Sequence, residues 1–294
     1  DWRAAGGPGG CPARYDTQPL EGHLFPILLE IPWFGGSTFP IHTFGVMVLL
    51  GAMAALRWVS YESRRLGLDE EAMGNLTVET FLVGLGGSRL LWILQNWGLL
   101  WENSEGPIQL VLSMVNLREG GLVWYGGPIL ATIVVIWRFR SMNVNPWAVC
   151  DIWVPALAVG HAIGRIGCFM AGDDYGKVCQ QEAWYTVTFT DPHALLPAEL
   201  KGLPLLPSQP LMSLGVFTVF GILVLARKRL QSHPGALTAL YFVLYSTHRF
   251  LVEFTRGDPA RGFVFRSESF DLSTSQGVSL VVIGPALGVL LWRL

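Results

Sequence analysis

Gly164-Arg165-Ile166-Gly167-Cys168-Phe169-Met170-Ala171-Gly172-Asp173-Asp174-Tyr175-Gly176 closes an apolar segment, residues 146–169, that is long enough to cross a bilayer. An arginine stands near the far end of that segment. At the centre of a membrane helix an arginine costs roughly 2.5–3.5 kcal/mol on insertion scales. Keeping Arg165 beside a glycine-rich turn therefore points to an anion for it to hold. The glycines at 164, 167, 172 and 176 allow close backbone approach and positive φ angles. The stretch reads as a site for a lipid phosphate.

The whole chain supports a membrane setting. It is 51% hydrophobic and 14% charged, where a soluble domain carries about 25% charged residues. Twelve tryptophans suit two interfacial belts. The net charge of −2 and the lack of a long basic run argue against a nucleic-acid partner. The four cysteines, Cys11, Cys150, Cys168 and Cys179, form no CxxC pair, so neither a zinc nor a redox motif is indicated. Cys11 and Cys179 both fall in segments placed outside, where a disulfide and two unpaired thiols remain equally open.

Taken in order, residues 1–40 are rich in Gly and Pro and read as an extracytoplasmic arm, with a short interfacial piece at 20–33. Seven spans follow at about 41–60, 79–97, 121–139, 146–170, 209–226, 235–254 and 277–292. Gly84, Gly86, Gly87 and Ser88 give the second span a small-residue packing face. Residues 107–115 are too short to span and read as interfacial. Arg57, Arg64 and Arg65, then Arg138 and Arg140, then Arg227, Lys228 and Arg229, and finally Arg293 follow alternate spans. The positive-inside rule sets the N-terminus out and the C-terminus in. The expected architecture is thus an all-α polytopic membrane protein. An arm (1–40) precedes transmembrane helices 1–4 (41–171). A small external cap (172–208) with strand character at 183–190 leads to helices 5–7 (209–294).

That topology brings polar residues to one depth. Arg165 on the fourth span, Arg249 and Glu253 on the sixth and Tyr125 at the start of the third all fall in the outer half of the bilayer. Arg89 lies a turn or two deeper on the second. Tyr241, Tyr245, Arg249 and Glu253 are four apart and form one stripe. Arg249 and Glu253 can pair with each other. Arg89 and Arg165 have no acid in their own helices to answer them, so an anion from elsewhere is expected. His161 lies one turn before Arg165 on the same face, either as a packing residue or as a base, while His248 points elsewhere on its helix. Asp151 is the only other acid well inside a span and belongs near the inner face.

These residues together resemble the prolipoprotein diacylglyceryl transferase family. The resemblance rests on the Arg165–Gly176 stretch, on Leu85-Gly86-Gly87-Ser88-Arg89 and on Tyr125-Gly126-Gly127. Pro207-Ser208-Gln209 and Arg249-Phe250-Leu251-Val252-Glu253-Phe254 complete it, in order, over roughly residues 40–290. It implies transfer of diacylglycerol from phosphatidylglycerol to the lipobox cysteine thiol of preprolipoproteins, with a thioether formed and glycerol phosphate released. The setting it implies is the bacterial inner membrane, with the active site facing the periplasm. Arg165, Arg249, Tyr125 and His161 become the candidate catalytic residues. Arg89, Gly126, Gly127, Gly167, Gly172, Asp173, Tyr245, Glu253 and Gln209 become candidate substrate-binding residues. No cofactor and no metal are implied.

The chain also departs from the family pattern. Tyr125 stands for a histidine, Cys168 and Ala171 for asparagines, and Asp173 for a glutamate. Leu211 and Met212 stand for the tyrosine and glutamate that follow the family's Pro-Ser-Gln. A tyrosine, with pKa about 10, is a poor base at neutral pH. These changes leave two alternatives beside the transferase: a relative with another acceptor, and a non-catalytic lipid-binding subunit of a larger membrane complex.

Overall fold

The computed structural model describes residues 25–32, 38–104, 106–116, 121–123, 125–142, 144–258, 262–266 and 271–294. Cys11, most of the expected arm and Gly120 lie outside them. The described elements are β1 (Ile27–Pro32), β2 (Thr38–His42), α1 (Thr43–Leu66), α2 (Glu70–Gln95), α3 (Trp97–Glu102), α4 (Pro107–Val115) and α5 (Gly126–Met142). After them come α6 (Pro146–Ala171), β3 (Val187–Thr188), β4 (Pro204–Leu205), α7 (Ser208–Leu230), α8 (Ala236–Val252), β5 (Phe263–Arg266), β6 (Asp271–Ser273) and α9 (Thr274–Arg293). The strands form three separate antiparallel pairs, β1 with β2, β3 with β4 and β5 with β6.

Five helices, α1, α2, α6, α7 and α9, are long and apolar enough to cross a membrane. Their outward side chains are apolar; Leu225 of α7 is 81% exposed and Val281 of α9 is 72% exposed. A helix that buries small residues and shows leucine and valine outward fits a hydrocarbon solvent rather than water. The protein is a predominantly helical polytopic membrane protein.

Two corrections concern boundaries. The helix expected from residue 79 begins at Glu70. Asp69 caps it, accepting from the backbone N–H of Glu71 at 3.0 Å and of Ala72 at 3.1 Å. Acids at Glu70 and Glu71 suit the positive helix N-terminus, so capping starts the helix before apolarity does. The last helix likewise starts at Thr274, set by a capping box in which Ser273 Oγ accepts from Gln276 N at 3.2 Å and Gln276 Oε1 accepts from Ser273 N at 3.0 Å. A third correction is the piece at 20–33: its described part from Ile27 is strand β1, not an interfacial segment of its own. The strand expected at 183–190 is shorter than its alternation suggests, only Val187–Thr188.

The chain divides into two compact units, residues 56–149 and residues 1–55 with 150–294. In the first, α2 packs on α5 through glycines. A Cβ at Gly87 would sit 2.4 Å from Gly126 O, and one at Gly126 would sit 2.2 Å from Gly87 O. A Cβ at Gly127 would reach Ser88 Oγ at 2.7 Å. The small-residue face is therefore a helix contact made by Gly84, Gly87 and Ser88, whereas Gly86 faces open space.

In the second unit, Val154, Ala158 and Ala162 of α6, Met212, Val216, Val219 and Leu223 of α7, and Leu237, Tyr241 and Val252 of α8 form one buried core. Helices α1 and α6 approach through Gly51 and Gly160. Asp151 of α6 starts α8 from outside the helix. Its carboxylate accepts from Gly235 N at 2.7 Å, Thr238 N at 2.8 Å and Thr238 Oγ1 at 2.6 Å. It thus acts as an N-cap supplied by a neighbour, and such caps are worth about 1–2 kcal/mol. Asp151→Ala is expected to lower stability by about that amount in thermal unfolding of the purified protein, with Asp151→Asn recovering part of it.

Candidate functional site

Helix α6 ends on a Schellman turn. Gly172, at φ +73°, sits just past the helix; its N–H donates to Phe169 O at 3.2 Å, and Asp173 N donates to Cys168 O at 3.0 Å. A Cβ at Gly172 would also lie 3.1 Å from Ala194 Cβ, and one at Gly167 would lie 2.9 Å from Met47 Cβ. Both glycines are thus explained by turn and packing, while Gly164 faces open space. Beyond the turn, Tyr175, Val187, Phe189, Ala194, Leu196 and Leu205 form a small core against Phe169 and Met170. This small core anchors the segment that carries Asp173 and Asp174.

That segment then threads between two others. Leu206 N donates to Lys177 O at 2.9 Å, Lys177 N to Thr255 O at 2.9 Å and Gly257 N to Tyr175 O at 3.1 Å. The fit leaves no room at Gly176, where a Cβ would lie 2.1 Å from Leu206 O, or at Gly257, where one would lie 2.4 Å from Gly176 O. Through these contacts the α6 turn and the residues following α8 are held at one place.

Two arginines meet there on one carboxylate, and a third lies on α8. Arg165 on α6 bonds Asp174 and donates from Nε to His161 Nε2 at 3.3 Å. Arg256, just past the 3₁₀ turn that follows α8, donates to Asp174 Oδ1 at 2.5 Å and holds Asp258 with two bonds of 2.7 and 2.8 Å. Arg249 on α8 bonds Glu253 and donates to Ser275 Oγ of α9 at 2.8 Å. Across the gap, the His161 ring lies 5.6 Å from the Tyr245 ring, which stacks on Tyr241 at 5.5 Å. Gln209 of α7 donates to Asp173 O at 2.7 Å, and its buried Oε1 has no hydrogen-bond partner among the described residues.

The arginines are not waiting unpaired for an outside anion, which corrects the expectation for Arg165. Its answer comes from Asp174, nine residues later and beyond its own helix. For Arg249, the i,i+4 pairing with Glu253 exists. Arg89 donates to the backbone carbonyls of Met114 at 2.8 Å, Ser113 at 2.6 Å and Gly121 at 2.9 Å, and its guanidinium lies over Trp92 at 4.2 Å. It ties the last turn of α4 to Gly121 within the unit of residues 56–149. Tyr125, Gly126 and Gly127 belong to that same unit.

His161 Nε2 accepts from Arg165, so in this arrangement its lone pair orients the arginine and does not face a thiol. His248 points away, toward Met212 O at 3.3 Å and the space above Gly215. Arg256 is the functional-site residue that the sequence reading passed over. Its only signal was position: three residues beyond Glu253 and two before Asp258.

Electrostatics bind the turn together. Burial alone would raise the Asp174 carboxyl, but the Arg165 and Arg256 guanidiniums outweigh it and hold it down at about 2. Burial, and then the charge of Asp174 beside it, push Asp173 the other way, above its ordinary range. Because Asp174 is held below the ordinary 3.8, its bonds stabilise the fold above about pH 4, and that contribution fades as pH falls toward about 2. Acid unfolding of the wild type is expected to show a component in that window that Asp174→Asn lacks.

Cys168, Asp173 and Asp174 bring three donor atoms within 4.8 Å of one another. They fit a metal ion poorly: both Asp174 oxygens are taken by guanidiniums, and a cation there would face Arg165 and Arg256. Cys168 is a free thiol, as is Cys150, while Cys179 is disulfide-bonded. Cys11, with which the sequence left a disulfide open, lies outside the described residues.

Guanidiniums gathered at a helix end in a membrane protein are chemistry suited to anionic groups, carboxylate or phosphate. The family model described as prolipoprotein diacylglyceryl transferase matches residues 30–292. The chain is 32% identical over 259 residues to the phosphatidylglycerol–prolipoprotein diacylglyceryl transferase of Clostridium tetani, covering 88% of this chain and 93% of that protein. It is 30% identical to that of Clostridium perfringens named transferase 2, covering 86% and 91%, and 28% identical to that of Bacillus cereus strain G9842, covering 75% and 78%. The chain belongs to the prolipoprotein diacylglyceryl transferase family.

Proposed function

We propose that this chain transfers diacylglycerol from phosphatidylglycerol to the lipobox cysteine of preprolipoproteins. The observation that carries the reading is the meeting of Arg165 and Arg256 on Asp174 at the turn that ends α6, with Arg249 on neighbouring α8, in a chain of this family. In the reaction, the cysteine sulfur bonds the glyceryl carbon as that carbon's bond to the phosphate oxygen breaks. Glycerol phosphate leaves with the electron pair, and the thiol proton balances the equation. What the protein must supply is positive charge around the departing phosphate and a dry, oriented approach for the sulfur. Arg165 and Arg249 hold the phosphate, and Arg256 joins them. His161 orients Arg165, Glu253 and Ser275 orient Arg249, and Gln209 Oε1 is an acceptor for a headgroup hydroxyl.

Placement follows from the same reading. Helices α5 and α8, 17 residues each, are about 26 Å long. With slight bilayer thinning they span, which makes seven spans with the N-terminus out. The arginine clusters then lie inside and the cap faces the periplasm of a bacterial inner membrane.

The test is direct. Purified full-length protein is mixed with phosphatidylglycerol vesicles and a lipobox peptide. A peptide product heavier by one diacylglyceryl group, lost when its cysteine is changed to serine, is expected. No product with phosphatidylglycerol, under conditions where a family member reacts, would contradict the reading.

A further inference from the structure

We propose, resting on the transferase reading, that Asp174 is an internal stand-in for the lipid phosphate: its carboxylate occupies the anion seat between Arg165 and Arg256 and leaves when phosphatidylglycerol arrives.

Three observations carry this. First, one carboxylate is shared by two guanidiniums from different elements. Oδ2 meets Arg165 Nη1 on α6, and Oδ1 meets Arg256 Nη2 after α8. Two-point charged recognition of this kind is how arginines also take a phosphodiester. Second, Asp174 is the most exposed of the three groups. The Asp174 side chain is 29% exposed, against 17% for Arg165 and 8% for Arg256. The acid can therefore swing outward, whereas the arginines cannot follow it; Arg165 is tied to His161 and Arg256 is clamped by Asp258. Third, Asp174 is held in a conformation it would not choose. Among the described residues it is the one non-glycine with positive φ, at 56°. Left-handed backbone is disfavoured for L-residues by roughly 1–2 kcal/mol, less for aspartate. In this conformation the carboxylate reaches both arginines, while the backbone on either side is held by Gln209 on Asp173 O and Gly257 N on Tyr175 O.

Charge favours the exchange. A phosphodiester carries one negative charge, as the Asp174 carboxylate does. Replacing one by the other leaves Arg165, Arg256 and Asp258 with the same balance, so the arginines stay compensated with and without lipid. A seat empty of both would leave uncompensated charge at the membrane boundary, which is costly. Asp174 thus keeps the site folded between turnovers, and its occupancy is subtracted from the apparent affinity for lipid. Acid does not trigger the release, because the carboxyl stays ionised down to about pH 2; the lipid itself must.

The test compares wild type with Asp174→Asn and Asp174→Ala in the full chain. If Asp174 holds the seat for nine-tenths of the time, removing it lowers the apparent KM for phosphatidylglycerol about tenfold, with the change carried by KM. A second readout does not need turnover. Thermal unfolding is followed with and without vesicles of phosphatidylglycerol, and with phosphatidylcholine vesicles as the zwitterionic control. The variants should start less stable than wild type and gain more from phosphatidylglycerol than wild type does, with no gain from phosphatidylcholine. An unchanged or raised KM, or a variant destabilised alike with and without phosphatidylglycerol, would show that Asp174 is a fixed brace and overturn the proposal. Should no thioether form even in wild type while phosphatidylglycerol still stabilises the variants more, the transferase reading fails and the stand-in remains.

Discussion

Arg165→Ala and Arg249→Ala each lower diacylglyceryl transfer by about 10²–10³-fold, the loss seen when one preorganised charged donor is removed from a developing anion. The two are expected to differ in what accompanies the loss. Arg165 shares Asp174 with Arg256, so its removal leaves that carboxylate still held by one arginine. The turn should survive, and unfolding should shift little. Arg249 pairs with Glu253, which is buried at 2% exposure. Removing it strips a buried carboxylate of that ion pair, so stability should fall along with activity. Arg165→Lys should not restore the rate, because a single ammonium cannot reproduce the planar reach to both His161 and an anion. Turnover with phosphatidylglycerol and a lipobox peptide, beside thermal unfolding of each variant, separates the two effects. Near-wild-type turnover in either alanine variant would remove that arginine from the mechanism.

Gly176→Ala is expected to disrupt the site without touching a charged residue. The added carbon would meet Leu206 O at 2.1 Å and Ser208 Oγ at 2.5 Å, with the segment of residues 255–257 hydrogen-bonded alongside. A carbonyl oxygen cannot move aside as a side chain can, so three backbone segments must separate. The expected cost is on the order of 3–4 kcal/mol, among the larger single-site effects, and a Tm lower by on the order of 10 °C. Activity should fall further than stability, because these segments place Asp174 and Arg256 opposite Arg165. Gly164→Ala is the matched control. Nothing lies within 4 Å of its Cβ, so it should be neutral or slightly stabilising.

The two glycines show how far the sequence could be read. Gly164, Gly167, Gly172 and Gly176 look alike in a motif, and only coordinates separate open space from a threaded backbone. What sequence did reveal followed from period. Tyr241, Tyr245, Arg249 and Glu253 share a face, as their fourfold spacing requires, and His161 reaches Arg165 one turn away. Pairings across elements were not legible, because nothing in spacing connects Arg165 with Asp174 past a helix end, or Asp174 with Arg256 some eighty residues on. The acceptors of Arg89 were equally out of reach, because nothing in spacing connects it with the carbonyls of Ser113 and Met114 at the end of α4 or of Gly121. The β5–β6 hairpin between α8 and α9 also went unread, since Phe263–Arg266 is too short for alternation to stand out.

The account turns on where a lipid phosphate sits. The most direct measurement is an experimental structure of the full chain in phosphatidylglycerol nanodiscs, at a resolution that shows the headgroup. Phosphate oxygens within about 3 Å of the guanidinium nitrogens of Arg165 and of Arg249 or Arg256, with Asp174 turned out of its seat, are expected. A headgroup bound elsewhere on the protein, with Asp174 still between Arg165 and Arg256, would contradict it.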